Sequence, residues 1–86
     1  MHELSLALEV CRLAGEAGAR QGGGTIRAVG VEVGDDAGIE VANFRFCLEA
    51  LLAEPPFYEA RADLVPARGD VLRLLYVEID DGHPDD

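Results

Sequence analysis

The stretch Val29-Gly30-Val31-Glu32-Val33-Gly34-Asp35 decides how this chain folds. Valines fall at every second position, with Ala28, Gly30 and Glu32 interleaved. That is the period of a β-strand, whose successive side chains face opposite ways. The strand is read over residues 25–33, with its valine face buried and its other face wet or weakly covered. Gly34-Asp35-Asp36 breaks it, and either aspartate is suited to cap the next element.

On the N-terminal side, residues 3–19 read as a helix. Leu4, Leu8, Cys11, Gly15 and Gly18 follow a 4-3-4-3 spacing, and Leu6, Val10, Leu13 and Ala17 form the adjacent stripe. Ser5, Glu9, Arg12, Glu16 and Arg20 make the polar stripe. Its i,i+4 pairs Arg12/Glu16 and Glu16/Arg20 are each worth a few tenths of a kcal/mol. Gly22-Gly23-Gly24 ends the helix. Because it follows a helix and not a strand, it does not read as a nucleotide loop.

On the C-terminal side, residues 40–53 read as a second helix. Val41, Phe44, Leu48 and Leu51 lie on one side with Cys47 beside them, and Glu54-Pro55-Pro56 stops it. Residues 58–65 alternate, with Tyr58, Ala60, Ala62 and Leu64 inward and Glu59, Arg61 and Asp63 outward. Residues 71–79 read as the last strand. Its inward pattern flips between Leu72/Leu74 and Val77/Ile79, which implies a bulge or burial on both faces. Pro66-Ala67-Arg68-Gly69 reads as a tight turn, so the last two strands are expected to pair as an antiparallel hairpin.

The order is helix, strand, helix, strand, strand. A strand-helix-strand crossover favours a right-handed parallel connection. The expected fold is a small two-layer α+β domain, a mixed three-stranded sheet with both helices on one face. Residues 1–79 make the single domain, and 80–86, Asp-Asp-Gly-His-Pro-Asp-Asp, read as a disordered acidic tail. The free sheet edges allow a monomer or a weak homodimer.

The length of 86 residues sets one modest core, burying roughly 60–65% of the surface that the unfolded chain exposes. The formal net charge of −10 argues against nucleic acid and against anionic membranes, both of which want a basic surface. It suits cations or a basic protein surface, and it also simply keeps a small protein soluble. Residues 4–19 are interrupted by Glu9, Arg12 and Glu16 and follow no basic segment, so they read neither as a signal peptide nor as a membrane span. A cytoplasmic location is expected, with both cysteines as thiols.

Met1-His2-Glu3 is the strongest site candidate. The Met1 amine, the deprotonated His2 amide and the His2 imidazole Nδ1 form fused chelate rings around one ion. Three in-plane nitrogens suit Ni(II) or Cu(II). Glu3, another group of the fold or water supplies a fourth ligand. Glu3 either lends its backbone amide or stands behind the ligands; its plain role is an acidic residue in a first helical turn, which the dipole favours. The helix N-terminus opposes a cation, and deprotonating the His2 amide offsets part of that opposition. The plain reading of the whole motif is a frayed, solvated terminus. Cys11 and Cys47 fall on apolar faces and read as small buried hydrophobes. His83, among Asp80, Asp81, Asp85 and Asp86, belongs to the solvated tail. No Ser/His/Asp or Cys/His constellation or acid pair suggests catalysis.

Met1-His2-Glu3-Leu4-Ser5-Leu6-Ala7 resembles the start of the nickel metallochaperones of [NiFe]-hydrogenase maturation, the HypA/HybF family. Val29 to Asp35 resembles the family's first strand and its Gly-acidic exit. Phe44-Arg45-Phe46-Cys47-Leu48-Glu49 is similar to its second helix, and Gly69 to Glu78 to its last strand. The resemblance implies a protein that is not an enzyme. It would bind Ni(II) transiently at His2 and deliver it for assembly of a [NiFe]-hydrogenase or another nickel enzyme. It implies two partners, the maturation GTPase and the hydrogenase large-subunit precursor. It also implies a carboxylate about six residues past the glycine that closes the first strand, which some members bring to the nickel; counting from Gly34 reaches Glu40, whose plain role is a solvated first-turn residue.

One departure is large. The family carries a zinc-binding insert with two CxxC pairs between its second and last strands. Here Leu64-Val65 runs through Pro66-Ala67-Arg68 into Gly69-Asp70, and the chain has no CxxC. A structural zinc wants four Cys/His ligands, and Cys11, Cys47, His2 and His83 are far apart in sequence. No structural zinc is expected. The rival reading is a protein-interaction adaptor of the same maturation machinery, a paralogue that docks without carrying metal.

Overall fold

The computed structural model describes residues 2–80. Two helices and three strands follow in the order α1 (His2–Arg20), β1 (Thr25–Gly34), α2 (Val41–Leu52), β2 (Arg61–Ala67) and β3 (Leu72–Asp80). The strands form one mixed sheet in the order β2-β1-β3. β1 pairs parallel with β2 and antiparallel with β3. Both helices pack on one face, so the expected two-layer α+β architecture holds.

The expected hairpin between the last two strands does not form. β1 lies between them. Ala28, Val29, Gly30 and Val31 are all buried, four in succession. A strand covered on both faces belongs at the centre of a sheet, whereas a β2-β3 hairpin would have left this one on an edge. The Pro66–Gly69 segment therefore bridges two strand spacings, about 10 Å, and no two-residue turn spans that.

Instead the link crosses over the end of β1 and hydrogen-bonds to it. The Gly34 N–H donates to the Val71 carbonyl at 2.7 Å, and the Asp35 and Asp36 N–H groups donate to the Ala67 and Gly69 carbonyls, each at 2.8 Å. The Asp35 carboxylate accepts from the Gly69 N–H at 2.9 Å. Asp35 thus secures the crossing link and does not cap α2.

The valine face of β1 meets α1 and α2 as expected. Val29, Val31 and Val33 join Phe44, Leu48 and Leu52 of α2 in the core. Leu51, placed on the inner side from sequence, is only partly buried, and Leu52 takes the centre. The stripe of α1 is rotated from the one read in the sequence. Ala7, Val10, Ala14 and Gly18 are buried, whereas Leu4 and Leu8 are 45% and 51% exposed. Small residues let the helix approach the sheet closely; a Cβ on Gly18 would lie 3.0 Å from the Ile26 side chain. Leucines at the contact would have held the layers apart, so of the stripe read from the spacing Gly18 lies inward and Leu4 and Leu8 do not.

The opposite sheet face is covered by its own side chains. Tyr76 lies over Gly30, where a Cβ would fall 2.2 Å from its ring. Its hydroxyl donates to Asp63, and Arg61 binds Asp63 and Glu78. Arg73 binds Glu32 at 2.6 Å. These exposed pairs fix side chains across three strands and add little stability each.

The flip read in the last strand is a bulge. Gly30 pairs with Tyr76 and Val31 with Leu74, which leaves Leu75 as the extra residue. β2 begins at Arg61, later than the alternation suggested, because Tyr58 and Glu59 have positive φ values of 45° and 66°. That backbone turns the chain, and Tyr58 ends 62% exposed and not inward. Asp80 closes β3 and binds Arg27 at 2.9 Å, so it belongs to the sheet and not to a tail. The rest of the proposed tail, 81–86, lies outside the described residues. No described helix is long and apolar enough to cross a membrane.

Candidate metal centre

The two helix N-termini meet, and the residue that joins them is Glu3. α2 starts at Val41 with Glu40 as its N-cap, in extended conformation at φ −82° and ψ 105°. The Glu40 carboxylate accepts from the Asn43 N–H at 2.8 Å, satisfying one of the backbone donors that a helix start leaves without an acceptor. The Glu3 carboxylate reaches across from α1. One oxygen accepts from the Glu40 N–H at 3.0 Å and the other from the Asn43 side-chain amide at 3.2 Å. Glu3, Glu40 and Asn43 form one cluster from positions 37 to 40 residues apart.

The electrostatics rest on these bonds. The Glu3 carboxyl is held below the usual carboxylate range, first by the Glu40 N–H, then by its own backbone N–H, and further by the Asn43 amide and the nearby His2. Desolvation acts the other way and loses. A depressed folded-state pKa means that the clasp is in force above the unfolded carboxyl value, near pH 4, and is lost as pH falls through the lower folded value. A two-dimensional NMR titration should therefore show Glu3 protonating below an ordinary glutamate. The Asn43 side-chain amide and Glu40 N–H signals should move with it; signals that stay fixed would mean the clasp is not made in solution.

His2 is the first residue of α1 and is exposed. Its N–H is one of those at the helix start that have no acceptor within the helix. Metallating that amide nitrogen therefore breaks no helical hydrogen bond. The Met1 amine, the other main-chain donor proposed, lies outside the described residues.

Among the described residues, the fold brings together two of the ligands expected from the sequence, Glu3 and Glu40. Glu3 is committed to α2 through both oxygens, whereas Glu40 accepts from Asn43 on Oε1 alone. Among the described residues no three His, Cys, Asp or Glu side chains converge on one point. Cys11 and Cys47 are both half-buried and unpaired with each other as free thiols. Burial pushes the Cys11 thiol up to about 11, so at neutral pH it is a protonated hydrophobe and not a thiolate ligand. His83 lies outside the described residues. The sequence reading missed Asn43. The only signal was its place three residues after Glu40, and glutamate is not among the preferred N-caps that would have marked it.

The family described as hydrogenase/urease nickel incorporation, metallochaperone HypA matches residues 1–71. The chain belongs to the HypA family. The HypA hydrogenase maturation factor of Azotobacter chroococcum mcd 1 is 36% identical over 69 residues, 80% of this chain and 61% of that protein. The HypA of Azotobacter vinelandii is likewise 36% identical over 69 residues, with the same coverage. That of Chlorobaculum tepidum is 38% identical over 50 residues, 58% of this chain and 44% of that protein. The chain thus spans about three-fifths of the length of the first of these relatives. HypA proteins are maturation metallochaperones, not catalysts. The family match includes His2, Glu3, Glu40 and Asn43 and ends at Val71, just before β3.

Proposed function

We propose that this HypA-family protein carries Ni(II) on the Met1 amine, the His2 amide nitrogen and the His2 imidazole, and delivers it during maturation of a nickel enzyme. A [NiFe]-hydrogenase is the preferred recipient. The observation that carries the reading is the clasp of Glu3 on α2. It anchors the first turn of α1 while leaving His2 exposed, so the chelate forms on a fixed base with an outward-facing ligand. Glu3 acts from behind the metal, holding the helix start, with its backbone amide as its nearest ligand atom. Glu40, whose Oε2 takes no part in its bond to Asn43, completes an N,N,N,O plane, or water takes the fourth position. Such a site is open on one side, which suits a carrier that must be stripped of its cargo.

Delivery calls for a protein that receives the ion. The maturation GTPase and the hydrogenase large-subunit precursor are the proposed partners, and the cytoplasm the proposed setting. The adaptor reading keeps the same partners without the metal. Calorimetric titration of untagged protein with Ni(II) separates the two: one-to-one binding supports the carrier, and no heat of binding supports the adaptor. Because the amine and the amide must lose protons, affinity should rise with pH through the reference pKa of a free amine, about 7.7–8.

Zinc has no part in this proposal. The protein as purified should hold no stoichiometric zinc by elemental analysis and should keep its far-UV circular dichroism in chelator. One zinc per chain, with unfolding on its removal, would overturn that expectation.

A further inference from the structure

β2 and β3 are the two edges of the described sheet, and both carry charged side chains, Arg61 and Asp63 on β2 and Arg73 and Glu78 on β3. β2 is seven residues long and contains Pro66. β3 is nine residues long and has no proline. Its helix-side row, Leu72, Leu74, Val77 and Ile79, is entirely apolar and packs against the core. An edge with no proline keeps all its outward backbone N–H groups for another strand.

The bulge at Leu75 gives β3 an unusual property. Reading outward from its centre, Leu75 stands against Tyr76, Leu74 against Val77, Arg73 against Glu78, and Leu72 against Ile79. Across an unbroken strand such pairs would lie on opposite faces. The extra residue shifts the alternation by one, so Leu74/Val77 and Leu72/Ile79 share the helix side, and Arg73/Glu78 share the other. β3 is therefore complementary to itself in shape, face and charge.

We propose that β3 pairs antiparallel with β3 of a second copy of this chain, about a two-fold axis between Leu75 and Tyr76. The two sheets join into one of six strands. Arg73 then faces Glu78 of the second copy, twice. Both still have capacity for this contact. Arg73 uses Nε and Nη2 on Glu32, leaving the donors of Nη1. Glu78 accepts from Arg61 on Oε1 alone. Beside this edge a groove runs between α1 and β3, lined by the apolar Leu6, Val10, Leu13, Leu72 and Leu74 together with the charged Glu9, Asp70 and Arg73. The two-fold sets the Val77–Ile79 half of the second strand along that groove, which withdraws it from water.

Sedimentation velocity of the untagged, metal-free chain at physiological salt should show a concentration-dependent dimer. Arg73→Glu alone and Glu78→Arg alone each place like charges opposite one another twice, and should weaken the dimer about tenfold. Mixing the two variants in equal amounts restores both opposite-charge pairs, and the heterodimer should regain wild-type affinity. Effects within a protomer, on Glu32 or Arg61, do not change on mixing. If either variant fails to fold, a second measurement decides. Opposite residues of an antiparallel pair have Cα atoms about 4.5–5.5 Å apart, within disulfide range. The double variant Arg73→Cys/Glu78→Cys should form a covalent dimer under mild oxidation, and the single variants should not. A wild-type chain that stays monomeric at its highest soluble concentration overturns the proposal. So does a dimer that ignores both charge reversals or fails to cross-link.

Discussion

Replacing His2 with alanine is expected to abolish tight Ni(II) binding while leaving melting temperature and far-UV circular dichroism at wild-type values. His2 is exposed and contributes nothing to the core, so its loss is a change of chemistry alone. The imidazole closes one of the chelate rings, and without it two main-chain nitrogens remain, a poor match for a metal that favours four in-plane ligands. Adding one residue before Met1 should also weaken binding, because the amine then no longer shares a ring with the His2 amide. Glu40→Ala should affect binding less, since water takes its position, but it removes the N-cap of α2 and should cost stability of about 1 kcal/mol. The two readouts thus part: His2 governs affinity, and Glu40 governs the helix. If His2→Ala binds Ni(II) as tightly as wild type, the chelate fails and the adaptor is the better account.

The second large effect is on the fold. A Cβ at Gly34 would lie 2.1 Å from the Gly69 carbonyl oxygen and 2.7 Å from the Val71 nitrogen. These are backbone atoms of the link that crosses the end of β1, and they cannot swing aside as a side chain would. Gly34→Ala should therefore destabilise by about 3 kcal/mol, the upper range for overpacking. For a domain of this size that is a fall in melting temperature of roughly 12–24 °C. Gly15→Ala is the control. Nothing lies within 4 Å of its Cβ position, and alanine favours a helix interior, so it should hold or raise the melting temperature. Equal melting temperatures for the Gly34 variant and wild type would show that the link does not cross β1 as described.

Much of this arrangement was legible from local pattern. The valines at 29, 31 and 33 marked a strand and its buried face, and Phe44 and Leu48 marked the inner face of the second helix. Periodicity reports such choices because each depends on residues close in sequence. The parallel β1-β2 crossover followed from the intervening helix, and the change of inward face between Leu74 and Val77 pointed to the bulge. His2 and Glu3 were visible as a motif at one end of the chain. Glu40 came to attention through resemblance to the HypA family, whose match over residues 1–71 then established membership.

Other features depended on contacts that no local pattern records. Pro66 to Gly69 has the composition of a hairpin turn, yet β1 takes the centre of the sheet because Ala28 and Gly30 are buried as well as its valines. Only the packed sheet decides which strand needs cover on both faces. The inner stripe of α1 runs through Ala7, Val10, Ala14 and Gly18 because close approach to the sheet selects small residues; the spacing placed Gly18 in the stripe but began it at Leu4 and Leu8, which remain exposed. At the candidate site, the sequence by itself determined that a histidine stands second in the chain beside a glutamate. The tertiary structure decided what that glutamate does. Glu3 meets Glu40 and Asn43 across an interval of 37 and 40 residues, and only the packing of α1 against α2 closes that distance.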